Sequence, residues 1–305
     1  MDRREFLKTA AATAAFAAIA TKLPGGKLIA SETETAGKTD LVAVRNGEPV
    51  AMFRRGIEAL GGMASFVKPG QSVVVKPNIG WDRTPEEAAN TNPELVAEIV
   101  RQALAAGASG VEVFDHTCNE WSSCYKNSGI EKAVTDAGGK MLPAHLESHY
   151  REVDRPAALS MKKAKIHQAI LDADVFINVP ILKHHGGAQM TAAMKNFMGL
   201  VWNRQFMHGN NLPQSIADAV LYRQPDLNIV DAYRIMVSNG PRGVSTEDVR
   251  LLQYQLLSRD IVAIDAMATK LIGYPLANVP YIELAEKMGL GFSDPAKLNV
   301  IRLEV

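Results

Sequence analysis

The sequence predicts an α/β protein with a mostly parallel sheet and helices on both faces. Short β-branched runs alternate with longer stretches of helical periodicity, the pattern of crossover units. The strand candidates are continuous apolar runs rather than alternating ones, as expected of strands covered by helices on both sides. Hydrophobic residues make up 47% of the chain, enough for a large core.

Ordered structure is expected to begin at Leu41. The valine run of Ser72 to Lys76 (SVVVK) reads as a strand, and Pro93 to Ala106 has the spacing of an amphipathic helix. Val111 to Phe114 is the next strand, followed by a helix over Ile130 to Ala137. Asp174 to Val179 (DVFINV) reads as a strand and Thr191 to Val201 as a helix. Leu227 to Ala232 (LNIVDA) and Val249 to Leu257 are later strands. Ile261 to Ile272 and Pro280 to Met288 read as helices, and Leu298 to Leu303 as a last strand. Asp260, just before Ile261, is an N-cap candidate. No internal repeat or domain linker interrupts residues 41–305, which read as a single α/β domain.

The first residues read differently. Arg3 and Arg4, followed by Phe6, Leu7, Lys8 and an Ala-rich run from Thr9 to Ala20, form a twin-arginine export signal. The run is too short for a permanent membrane span, which needs roughly 20 residues. Residues 1–30 are therefore read as the signal and the start of a tether, and residues 31–40 as the rest of that polar tether. The expected location is periplasmic or otherwise extracytoplasmic, with the export machinery as a partner. With 33 Lys and Arg against 33 Asp and Glu, the chain is a poor match for nucleic acid, whose binding depends on neutralised phosphates.

In an open parallel sheet, ligands bind where strands run out at their carboxyl ends. Lys76-Pro77-Asn78, Asp115-His116, Lys183-His184-His185-Gly186-Gly187 and Asp231 stand at such ends, and Thr191, Lys195 and Asn196 follow on the next predicted helix. Lys76, Asn78, Lys183, Thr191, Lys195 and Asn196 together suit a phosphate- or carboxylate-bearing ligand, with the helix N-terminus contributing its dipole. His184, His185 and Asp231 are the acid/base candidates. The structural alternative for these residues is a solvated basic loop with ordinary turn caps. Trp81 and Trp121 are candidate pocket walls.

All seven histidines lie between His116 and His208, and both cysteines, Cys118 and Cys124, fall in the same interval. His184 and His185 are therefore candidate transition-metal ligands, whereas His145, His149 and His167 read as scattered surface residues. Cys118 and Cys124 have two mutually exclusive readings, a disulfide in an oxidising compartment or free-thiol ligands. No Walker loop, G-x-G-x-x-G fingerprint or serine-hydrolase elbow occurs, so ATP and NAD are unsupported as cofactors.

The strings VKPN (Val75 to Asn78), NVPILKHH (Asn178 to His185), MKNFMGL (Met194 to Leu200), NIVDA (Asn228 to Ala232) and NGPRG (Asn239 to Gly243) occur in that order. With the spacing of Asp260, Ile264, Asp265 and Gly273, this pattern resembles domain of unknown function family 362 over most of the chain from Leu41. The resemblance implies an α/β fold and a site, not a reaction. Its basic turn usually reads Lys-Thr-His, where this chain has Lys183-His184-His185. Some relatives carry a Cys-rich, ferredoxin-like segment, and this chain has no such iron–sulfur motif. Two function classes follow: an enzyme acting on a small anion, or an accessory protein that holds a metal or cofactor for a redox partner.

Overall fold

The computed structural model of the protein describes residues 40–294 and 297–305. The twin-arginine segment and all of the tether except Asp40 lie outside the described residues. Strand β1 (Leu41–Arg45), helix α1 (Pro49–Ala59), β2 (Ser72–Pro77), α2 (Pro93–Ala105) and β3 (Gly110–Val113) open the fold. Helices α3 (Trp121–Asn127) and α4 (Ile130–Asp136), the short β4 (Lys140–Met141), the hairpin β5 (Tyr150–Asp154) and β6 (Lys163–His167), and α5 (Gln168–Asp172) follow. Strands β7 (Val175–Val179), β8 (Ile181–His185) and β9 (Gln189–Thr191) lead into α6 (Arg204–Gly209) and α7 (Leu212–Ala219). The chain closes with β10 (Leu227–Met236), β11 (Val249–Ser258), α8 (Ile261–Ile272), α9 (Pro280–Lys287) and β12 (Val300–Glu304).

The main sheet has the order β12-β1-β11-β10-β7-β2-β3-β4; off this path β8 pairs with β10, and β9 with β8. From β10 through β4 all neighbours are parallel. β11 runs antiparallel between β10 and β1, and β12 is parallel to β1. The predicted α/β class and mostly parallel sheet are therefore observed.

Each central strand feeds two cores, because successive side chains point to opposite faces. Val73 and Val75 of β2, Ile177 of β7 and Ile229 of β10 pack with α1, α2, α3 and α4 on one face. Val74, Phe176 and Val230 pack with α7, α8 and α9 on the other. This double burial produces the continuous apolar runs. Local signals set the helix ends. The Asn92 side chain accepts from the backbone N–H groups of Glu94 and Leu95 at the start of α2. Asp260 does the same for Val262 and Ala263 at the start of α8, and Gly273, at φ 83°, ends that helix in the left-handed region.

One predicted element is different. The helix expected over Thr191 to Val201 is absent: Thr191 ends β9, and Lys195–Leu200 is a 3-10 stretch. The buried Asp265 carboxylate accepts from the N–H groups of Ala193 (2.6 Å) and Met194 (3.0 Å), fixing a tight turn there. Every residue from Thr191 to Val201 is buried. The apolar pattern records that burial rather than a helical face.

Candidate functional site

Parallel register places polar side chains in one row. Lys76 of β2 pairs with Asn178 of β7, which pairs with Asn228 of β10. All three share a sheet face with Val74, Phe176 and Val230; Lys76 and Asn178 stand one step beyond Val74 and Phe176 towards the carboxyl ends, and Asn228 one step before Val230. The β8–β9 hairpin and the 3-10 stretch close over this row. Between them lies a cleft of about 350 Å³ whose walls include Lys76, Asn78, Asp115, His116, Cys118, Lys183, His185, Thr191, Lys195, Asn196, Arg204 and His208.

At its floor, Lys76 Nζ stands 2.7 Å from Asp115 Oδ1 and donates to Asn196 Oδ1 at 2.7 Å. Burial lowers the Lys76 pKa, and Asp115 opposes the shift. Asp115 Oδ2 accepts from the Ile79 N–H at 2.7 Å. A Cβ on Gly199 would lie 1.8 Å from Asp115 Oδ1 and 2.6 Å from Lys76 Nζ, so only glycine fits against this pair.

A chain of amides radiates from it. Asn78 Nδ2 donates to Asn196 Oδ1 (3.0 Å), Asn196 Nδ2 to Asn178 Oδ1 (2.9 Å), and Asn178 Nδ2 to Asn228 Oδ1 (2.9 Å). Buried polar groups satisfied in this way hold one geometry and are costly to break.

Lys183, which donates to Asn78 Oδ1 and the Ala89 carbonyl, has its pKa pulled down to about 7, chiefly by burial. Lys195 is pulled down to about 8 by burial, with Arg204 and Lys76 adding to the shift. Arg204 donates to the carbonyls of His116 (2.8 Å) and Thr117 (2.6 Å) and lies 3.2 Å from Cys118 Sγ. Three lysines and one arginine thus surround a cleft whose walls carry one carboxylate.

The two adjacent histidines point to different tasks. His185 lines the cleft, and its Nδ1 accepts from the N–H groups of Gly187 and Ala188, both at 3.1 Å. Burial first, then Lys195 and Lys183, lower its pKa to about 2, so it is neutral with its proton on Nε2. His184 Nδ1 accepts from the Gly240 N–H at 3.0 Å, which ties β8 to the 238–243 loop. A metal-bound histidine normally donates its other ring N–H to an acceptor. Here Nδ1 of both rings faces backbone donors, the opposite arrangement. Among the described residues, no three His, Cys, Asp or Glu side chains gather to hold a metal.

Several expectations need correction. Asp231 is not at a strand end, because β10 continues to Met236. It lies on the other sheet face, where its carboxylate accepts from the N–H groups of Asn92 (2.8 Å) and Tyr233 (3.1 Å), and burial raises its pKa to about 6. It sits outside the cleft and supports the start of α2. The helix dipole expected near Lys195 is missing with the helix itself. Cys118 and Cys124 are free rather than bridged; Cys118 faces the cleft, while Cys124 is buried in the α2–α4 core. Trp81 lines the cleft, but Trp121 stacks on His145 instead. His167 is buried against Phe114 rather than on the surface.

The six residues expected to bind an anion do converge: Lys76, Asn78, Lys183, Thr191, Lys195 and Asn196 all line the cleft. Sequence reasoning assigned no role to Arg204 or His208, which come from α6. It noted Asp115 and His116 at a strand end without assigning them roles. An arginine opening a short helix carries no signal of its own.

The fold and cleft define the class: an α/β protein with a polar site at the carboxyl ends of parallel strands. The chain belongs to the family described as Domain of unknown function (DUF362), whose model matches residues 73–270. It is 27% identical over 252 residues to the thylakoid-associated protein sll1697 of Synechocystis sp., covering 80% of this chain and 76% of that protein. Among solved structures it is similar to the lactate racemase apoprotein of Thermoanaerobacterium thermosaccharolyticum, with TM-score 0.43 and 12% identity over 71% of this chain and 54% of that one. A Thermotoga maritima protein gives TM-score 0.40 and 9% identity, over 79% of this chain and 60% of that one. The chain therefore spans less than two thirds of the length of either solved structure.

Proposed function

We propose that this protein binds a small phosphate- or carboxylate-bearing molecule in the strand-end cleft, and that it does so outside the cytoplasm after twin-arginine export. The observation that carries the binding reading is the excess of cationic side chains, Lys76, Lys183, Lys195 and Arg204, over the single carboxylate of Asp115. A desolvated anion is stabilised by such fixed charges far more than in water. His185, neutral and protonated on Nε2, supplies a further donor. Export rests on Arg3, Arg4 and the run that follows them.

The accessory metal-carrier reading has less support, because both His184 and His185 present Nδ1 to backbone donors. The binding reading is tested by calorimetric titration of the protein with inorganic phosphate and with acetate at low salt. Saturable one-site binding is expected, weakened at least tenfold in Lys195→Gln. Affinity should fall as pH rises through 7 to 8, where Lys183 and then Lys195 lose their charge. Absence of saturable binding, or equal affinity in the variant, would rule the site out.

A further inference from the structure

Lys195 differs from its neighbours in what the protein gives it. Lys76 is held by Asp115 and Asn196, and Lys183 by Asn78 and the Ala89 carbonyl. Lys195 is only 8% exposed, lines the cleft, and has no hydrogen-bond acceptor among the described residues. Burial without an acceptor makes the ammonium easier to deprotonate, so the neutral amine becomes populated as pH approaches 8. Its backbone is fixed on both sides. Asp265 holds the N–H groups of Ala193 and Met194, and the Asn196 side chain is tied to the Lys76 carbonyl and Asn178. A desolvated lysine beside other cations is the setting in which the amine becomes a nucleophile towards carbonyl carbon.

We propose that Lys195 condenses with the carbonyl of a small 2-oxo carboxylate, whose carboxylate is held by the other cations of the cleft. This rests on the anion-binding reading. The Nζ lone pair adds to the carbonyl carbon to give a carbinolamine. Both amine protons then leave with the former carbonyl oxygen as water, and a C=N bond replaces C=O. No outside oxidant or reductant is consumed. His185, with its proton on Nε2, is a donor available to the departing oxygen, and Arg204, Lys76 and Lys183 keep the carboxylate in place.

The test is reductive trapping of the full-length protein with pyruvate and cyanoborohydride, followed by peptide mapping. The expected result is one reduced carboxyethyl group per chain on Lys195, with a yield that rises with pH towards 8 and is suppressed by excess phosphate. Lys195→Arg should lose the adduct, while a titration of the unaltered protein in the same buffer reports phosphate binding. Phosphate binding without a Lys195 adduct overturns the imine and leaves the anion site standing. Adducts spread evenly over exposed lysines overturn it as well. Absence of phosphate binding with a clean Lys195 adduct would instead overturn the anion reading and retain the nucleophile.

Discussion

Lys76 and Asp115 form a buried ion pair at the floor of the cleft, and such a pair is worth most when one partner is lost. Lys76→Met strands the Asp115 carboxylate and should destabilise the protein by about 3–5 kcal/mol. Adding Asp115→Asn, which keeps an acceptor for the Ile79 N–H, should recover part of that loss. Urea unfolding of the wild type, both single variants and the double variant measures it; additive losses would mean that the two residues are not coupled. Gly199→Ala is the steric counterpart. Its methyl group would sit 1.8 Å from Asp115 Oδ1, so phosphate affinity and melting temperature should fall together. At this scale the sequence was informative where chemistry sits next to a strand. Lys76, Asn78 and Lys183 were found from strand ends, and Lys195 and Asn196 from the segment that follows. Arg204 was not, because the contact that matters is with the carbonyls of His116 and Thr117, far away in the chain.

At the level of elements, Pro180 separates two strands that belong to one bent path. β7 pairs with the start of β10 and β8 with its later half, which carries Lys183 and His185 out over the polar row. The expected end of β10 at Ala232 was four residues short, and that error alone moved Asp231 into the site. The missing helix over Thr191 to Val201 has a different cause. Hydrophobic periodicity reports which positions are buried, and a fully buried 3-10 turn leaves the same trace as a buried helix. What holds that turn is Asp265, whose burial raises its pKa to about 7. A carboxyl group with a raised folded-state pKa binds more protons folded than unfolded. Its contribution to stability is therefore fully present below its ordinary value near 3.8 and is lost as pH rises through about 7. Asp265→Asn should flatten the fall in stability between pH 4 and 7, as followed by denaturant titration at several pH values; an unchanged slope would place the titrating group elsewhere. Asn178→Leu tests the amide row. It removes partners from Asn196, Asn228 and the Ala193 carbonyl, and should cost about 1–3 kcal/mol for each buried group left unpaired.

For the whole molecule, fold class was the most legible feature, since double burial writes continuous apolar strands between amphipathic helices. The mixed edge was less so: nothing in the run of Val249 to Leu257 indicates that β11 lies antiparallel between β10 and β1. Register depends on contacts far apart in sequence, and local patterns do not encode it. The export reading belongs at this scale too. Replacing Arg3 and Arg4 together by lysine should leave the protein in the cytoplasm of a host with a twin-arginine pathway, whereas the unaltered chain should reach the periplasm. Cell fractionation distinguishes the outcomes, and equal distribution of both forms would contradict the signal. The central claim, that the strand-end cleft is an anion site, is tested most directly by anomalous diffraction from crystals of the protein soaked in selenate. A selenium peak is expected inside the cleft, with selenate oxygens in hydrogen-bonding reach of Lys195 Nζ, and it should be displaced by phosphate; peaks confined to surface lysines, with the cleft empty, would contradict the claim.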